Sequence, residues 1–128
     1  MQRDIKSSYV VAVGLAAISQ TAATVTSAAV DHSLGNSATF FINAGTIGAS
    51  GTIDMKLQHS PDNSAWTDDD GASGNDTAIT QITAAGGAQL NVVNPQARYS
   101  RVAVTVAVAA SVFGVTSIMG PLRTIVPS

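Results

Sequence analysis

The sequence predicts an all-β chain: a single-domain antiparallel β-sandwich, jelly-roll or immunoglobulin-like, with an extended N-terminal arm. Three observations carry this. All eight acidic residues are Asp, and Lys occurs only at Lys6 and Lys56, so the strong surface-helix formers are nearly missing while Val, Thr and Ile abound. Residues 52–59 (TIDMKLQH) alternate Ile53, Met55 and Leu57 against Asp54, Lys56 and Gln58, the period of a strand with one wet face. Finally, about seven or eight short strand-like runs are separated by turn signals, the spacing of a sandwich or barrel.

The chain has 128 residues, one domain's worth. We divide it into an arm (1–21), the sandwich (22–120) and a tail (121–128). Within the arm, Tyr9 to Ile18 follows Arg3 and Lys6 and precedes SQTAA, which resembles a secretory leader. Asp4 in the charged start and Gly14 within the run favour an arm or first strand that packs on a neighbour.

Residues 22–30 (AATVTSAAV) suit an extended strand or a short helix, and 31–37 (DHSLGNS) a turn. The aromatic and β-branched 38–43 (ATFFIN) forms a strand, and the glycines of 44–51 (AGTIGASG) a loop. Ser60 to Ser64 joins a fixed proline φ to residues that cap their own backbone, a turn after which Ala65, Trp66 and Thr67 resume a short strand. Residues 68–76 (DDDGASGND) make a polar loop. Strands are expected at 77–83 and 88–93, about a Gly86-Gly87 turn, then at 97–108 and 112–119. No residue from Val102 to Leu122 is charged, a length that could span a bilayer, but Val102, Val104 and Val106 alternate with Ala103, Thr105 and Ala107 as in a half-buried strand. No membrane partner is expected.

Composition narrows function. Residues are 45% hydrophobic and only 11% charged, against roughly 25% in an ordinary soluble domain. The surface must therefore be Ser, Thr, Asn and Gln, or be covered by other subunits. A formal charge of −2 offers no field for phosphates, so direct nucleic-acid binding is not expected. Without cysteine there is no thiolate metal site or cysteine nucleophile.

The stretch HSPDNSAWTDDDG (59–71) gathers His59, Ser60, Asp62, Trp66 and Asp68 to Asp70. Neither Asp62 nor Asp68 begins a calcium-hand pattern, and three adjacent carboxylates alternate sides when extended. His59, Ser60 and Asp62 are too close in sequence for a hydrolase triad, and no G-x-S-x-G elbow exists. AGTIGASG lacks the Walker lysine and the dinucleotide-binding spacing. No enzyme activity, metal or cofactor is expected. What remains is interaction surface: Trp66 as an interface anchor or as a plug closing one end of the core, and Arg98 and Arg101 flanking Tyr99. Alternation puts Arg101 on the Tyr99 face and Arg98 opposite, where either could bond the carboxylates of Asp68 to Asp70 or contact a neighbouring chain.

The order SAAVDHSLGNSATFFINAGTIG, LQHSPDNSAWTDDD, ARYSRVAVTV resembles a group of small tailed-bacteriophage virion proteins of the head-gene region. Val30, Asp31, Gly35, His59, Ser60, Asp62, Trp66, Asp68, Arg98, Tyr99 and Arg101 are the matching positions, over about residues 22–120. The resemblance implies a β-sandwich made in the host cytoplasm that decorates the outer surface of the capsid and cements it. Its partners would be the phage major capsid protein and further copies of itself, a homotrimer being favoured. A head-to-tail connector or tail component is the alternative. A secreted carbohydrate-binding or adhesion module, cleaved near Ala22 or Ala23, is a third reading.

Overall fold

The computed structural model describes residues 10–33, 35 and 37–120. Nine strands follow in order: β1 Val10–Gln20, β2 Ala23–Thr26, β3 Val30–Asp31, β4 Ala38–Ile47, β5 Thr52–Ser60, β6 Thr67–Asp68, β7 Gly86–Val92, β8 Tyr99–Ala107 and β9 Ser111–Met119. They form two antiparallel sheets. Sheet A has the order β1-β9-β4-β7, and sheet B the order β2-β8-β5-β6 with β3 paired to β8. The β-sandwich expected from the pattern is the architecture found.

The core is what period-two alternation requires when two sheets face each other. From β4, β7 and β9 come Phe40, Ile42, Leu90, Val92, Phe113 and Val115; from β5 and β8 come Ile53, Met55, Leu57, Val102, Val104 and Val106. Each is at most 2% exposed. Lys56 and Thr105 lie on the opposite face of the same strands, partly or fully exposed. The run from Val102 is thus split between β8 and β9, with a turn at 108–110. Val108, which the alternation placed in the strand, is the centre of that turn. Its φ is 71°, Ala109 N–H donates to Ala107 O at 2.9 Å, and the side chain is 73% exposed. A β-branched residue in the left-handed region is strained, so the tight reversal overrides the pattern there.

Four further expectations change. Residues 10–20, assigned to the arm, are β1 of sheet A, paired to β9 in register over Val10–Val13 and again over Ile18–Gln20; residues 1–9 and the tail lie outside the described part. Gly45 to Ile47 continue β4, with an irregularity between Ala44 and Ile47 against β9, where glycine lets one strand carry extra residues. Gly86 and Gly87 open β7 opposite Ala44 and Asn43. Residues 77–82 make only isolated bridges to β5, Lys56 to Ala78 and Ile53 to Ile82. That segment is drawn along the edge of β5 by single backbone bonds, including Leu57 N–H to Thr77 O and Ile79 N–H to Met55 O.

Candidate functional site

β5 delivers His59 and Ser60 to one end of the sandwich, where the turn predicted at Ser60 to Ser64 is made by side-chain oxygens. The Asp62 carboxylate accepts from Ser64 N–H, Ala65 N–H and the Ser60 hydroxyl at 2.9–3.0 Å. Asn63, with φ 62°, sits in the left-handed position that asparagine tolerates. The Ala65 and Ser64 amides hold the Asp62 carboxyl below its ordinary pKa. The Ser60 hydroxyl is thus part of the turn, while His59 Nδ1 faces Asp69, not Ser60. Nδ1 is buried without a hydrogen bond, 3.6 Å from the Asp69 carboxylate.

Across the outer face of sheet B the register sets Arg101, Gln58 and Asp68 side by side on β8, β5 and β6. Arg101 Nε donates to Gln58 Oε1 at 2.9 Å, Gln58 Nε2 to Asp68 Oδ1 at 3.0 Å, and Lys56 Nζ to Asp68 Oδ2 at 3.0 Å. The Arg101 guanidinium lies 4.1 Å from the centre of the Trp66 ring. Trp66 is therefore half-buried beneath an arginine on the outside of sheet B and does not close the core.

Arg98 precedes β8, so strand alternation does not govern it. It folds over Tyr99, 5.0 Å from the ring centre, and grips Asp31 with two bonds, Nε to Oδ1 at 3.1 Å and Nη2 to Oδ2 at 3.0 Å. The bonds expected from Arg98 or Arg101 to Asp68–Asp70 are replaced by these nearer partners, because β3 and β5 flank β8. The matched positions fall into two clusters at one end of the molecule: Asp31 with Arg98 and Tyr99, and His59 to Asp68 with Arg101.

The sequence reading missed Asn75, the residue that ties the acidic loop down. It is 6% exposed. Its Nδ2 donates to Asp69 Oδ2 (3.1 Å) and Asn94 O (2.9 Å), and its Oδ1 accepts from Val93 N–H and Asn94 N–H, both at 2.9 Å. A side-chain amide supplies together the two donor bonds and the two acceptor bonds made at that spot. Asn75→Ala is expected to cost about 2 kcal/mol and to speed exchange of the Val93 and Asn94 amides; unchanged exchange and melting would contradict this role.

Acid should loosen the same end. Asp31 is held far below its ordinary value of 3.8, first by its hydrogen bond from Arg98. Asp68 is lowered by Gln58 and Lys56, and Asp70 by Gln96 and the Ala72 amide. Each carboxylate is more acidic folded than unfolded, so its stabilisation is complete above the unfolded value and is lost as pH falls through the folded one. The melting temperature should decline below about pH 4, and less steeply in Asp31→Asn. A melting temperature that rose on acidification would contradict the assignment.

Among the described residues no three His, Cys, Asp or Glu side chains are placed to share a metal ion. An open hollow of about 560 Å³ lies between 32–33 and 93–98, where Arg98 is engaged by Asp31, and His32 by Gly35 O and the Ser100 hydroxyl.

The topology reveals a partition of charge that the linear sequence does not display. β1, β4, β7 and β9, the four strands of sheet A, contain no ionisable residue. Every described Asp, Lys and Arg lies on sheet B or in loops, with Asp62, Asp69, Asp70, Asp76 and the Asp31–Arg98 pair at the end reached by the last residues of β4's partners β7 and β9. The outward row of sheet A runs Val13, Thr116, Phe41, Gln89 from edge to edge. A hollow of about 430 Å³ beside it is lined by Phe41, Asn43, Gly87 and Gln89 among others. Among the described residues, one broad side of the sandwich is uncharged and part apolar; the other carries Asp31, Asp54 and Asp68 against Lys56 and Arg101, and Asp62, Asp69, Asp70 and Asp76 lie in the loops.

No family model and no curated protein sequence matches the chain. Among solved structures it is similar to the PBSX exported protein XepA, with a TM-score of 0.66 at 15% identity over 100% of this chain. The match spans 42% of the XepA chain, less than half its length. A second structure, from the Bacillus endospore appendages that form disulfide-linked pili, gives a TM-score of 0.48 at 18% identity, covering 91% of this chain and 90% of that one. At these identities the likeness to XepA shows a shared fold.

Proposed function

We propose that the chain is a structural component of a phage virion that decorates the outer surface of the capsid and stabilises it, a binding role with no catalytic step. The observation that carries this is the ion-free sheet A. A surface with no charge to desolvate can lie flat against a protein lattice, where each copy adds a modest contact and repetition adds avidity. Binding the assembled shell in preference to its parts would stabilise the shell by mass action. The order of motifs shared with phage head-region proteins supports the virion setting, and the fold is shared with XepA, a phage-related exported protein. In this arrangement the charged side, with the Trp66–Arg101 stack and the Lys56–Asp68 pair, faces solvent. The major capsid protein is the partner.

The test is to add the purified chain to phage shells that lack it and to follow co-sedimentation and the temperature at which the shells open. Saturable binding over the shell surface with a raised opening temperature is expected. Binding confined to the neck or tail would support the connector reading instead.

A further inference from the structure

The end of the sandwich where β5 stops holds His59 Nδ1, the one buried side-chain polar atom without a hydrogen bond among the described residues. Alternation after Ile53, Met55 and Leu57 turns His59 to the core face of β5, where its register partners are Thr67 on β6 and Ser100 on β8. Nδ1 faces the Asp69 carboxylate at 3.6 Å, too long for a hydrogen bond, and the Asp69 side chain is 1% exposed. Asp69 is held by other bonds. Its N–H donates to Leu57 O at 3.0 Å, its Oδ1 accepts from Gly71 N–H at 2.7 Å, and its Oδ2 accepts from Asn75 Nδ2 at 3.1 Å. Asn75 in turn accepts from the amides of Val93 and Asn94, which follow β7. A chain of polar contacts thus runs from β5 in sheet B through Asp69 and Asn75 to the end of β7 in sheet A, and the link from His59 to Asp69 is the one left open.

We infer that His59 and Asp69 form a proton-operated clasp between the two sheets: a proton on the imidazole closes the chain of bonds, and its loss opens it. In a neutral ring with its hydrogen on Nε2, the Nδ1 lone pair faces a carboxylate oxygen, and two acceptors repel. The imidazolium instead donates from Nδ1 and attracts the carboxylate, and charge-assisted bonds of this kind close to about 2.7–2.9 Å. The groups around the ring leave Asp69 as its partner. Asp70, in the same loop, also interacts electrostatically with His59. Asp68 and Arg101, next to Thr67 and Ser100, are turned to the outer face, where Gln58 bridges them. Asp62 is taken up by the amides of its own turn, and Tyr99, opposite Ser60, lies under Arg98. His32 reaches Ser100 from the β3 side, but both its ring nitrogens are hydrogen-bonded, to Gly35 O and to the Ser100 hydroxyl, so a proton there creates no new bond. A proton that gains a partner only in the folded chain is held more tightly there than in the unfolded one. The clasp therefore contributes fully at the acid end of the histidine range, about pH 5 to 8, and is lost as pH rises through it. Asp31, Asp68 and Asp70, all held below the ordinary carboxylate value, keep their charge over that range, which separates the clasp from the loosening at lower pH.

The test is nuclear magnetic resonance of the full chain, with the His59 ring titrated and amide exchange measured at about pH 5.5 and about pH 8. Corrected for the intrinsic pH dependence of exchange, protection of the Asp69, Gly71, Val93 and Asn94 amides should be about tenfold higher at the acid end, the scale of one charge-assisted bond. His59→Gln keeps an uncharged donor at the same place, and its protection of these amides should be equal at the two pH values. In Asp69→Asn the midpoint of the His59 titration should fall by about one pH unit or more, because the facing charge is gone. Equal protection at both pH values in wild type, a pH dependence that persists in His59→Gln, or a His59 midpoint unmoved by Asp69→Asn would each overturn the inference. If Asp69→Asn does not fold, the comparison of wild type with His59→Gln decides alone.

Discussion

Phe40→Ala is expected to destabilise the domain by about 3–5 kcal/mol, a large share of the roughly 5–15 kcal/mol that holds an ordinary domain folded. Phe40 is 0% exposed on a central strand of sheet A, opposite Leu90 and Ser117 in the flanking strands. Among the described residues only it and Phe113 bring aromatic rings into the buried core, and the rest of that core is aliphatic or Met. Removing the ring leaves a cavity that β-branched neighbours, stiff about their first torsion, fill poorly. The next residue provides the control. Phe41 points out of the same strand at 36% exposure, so Phe41→Ala should cost less than about 1 kcal/mol. Thermal melts of the two variants check this; equal losses would mean that β4 does not present alternate residues to core and surface.

The second large effect concerns binding. Thr116→Lys should leave the melting temperature nearly unchanged, because Thr116 is exposed on β9 between Val13 and Phe41. Its affinity for shells should fall about a hundredfold. An ammonium at the centre of an interface with no counter-charge must be desolvated unpaired, at a cost of several kcal/mol even after relaxation. Lys56→Gln, which removes the exposed Lys56–Asp68 pair on sheet B, should bind shells like wild type. Binding through the uncharged sheet should also change little between low and high salt, whereas contact through the charged side would be screened. Competition binding to purified shells measures both, and a salt-sensitive affinity that survives Thr116→Lys would count against the docking face.

The sandwich was legible because alternation survives in single strands: 52–59 reads as β5 and 97–108 as β8, found at 99–107, from the valines and the Ile-Met-Leu set alone. Where glycine interrupted that pattern the sequence misled, at 44–47 and 86–87, since glycine signals a turn in isolation yet is accommodated at a bulge or edge when a neighbouring strand supplies the register. The segment 77–83 erred in the opposite direction, for β-branched composition favours extension but does not create a partner. The hairpin at Ser60–Ser64 was read correctly because its chemistry is local, Asp62 bonding amides two and three residues on. Arg98 and Arg101, offered Asp68–Asp70 or a neighbouring chain, bond Asp31 and Gln58 within the chain, because their partners depend on which strands flank β8. The ion-free sheet was hidden for the same reason: β1, β4, β7 and β9 are scattered along the chain and meet only through the strand order.

Hydroxyl-radical footprinting of the chain, free and bound to shells, tests the docking face most directly, because each side of the sandwich carries its own reactive aromatic groups. Phe41 reports on sheet A, while Trp66 and Tyr99 report on sheet B. On binding, the oxidation of Phe41 should fall sharply while that of Trp66 and Tyr99 stays as in the free chain. Protection of Trp66 and Tyr99 with Phe41 unchanged would place the contact on sheet B and contradict the account.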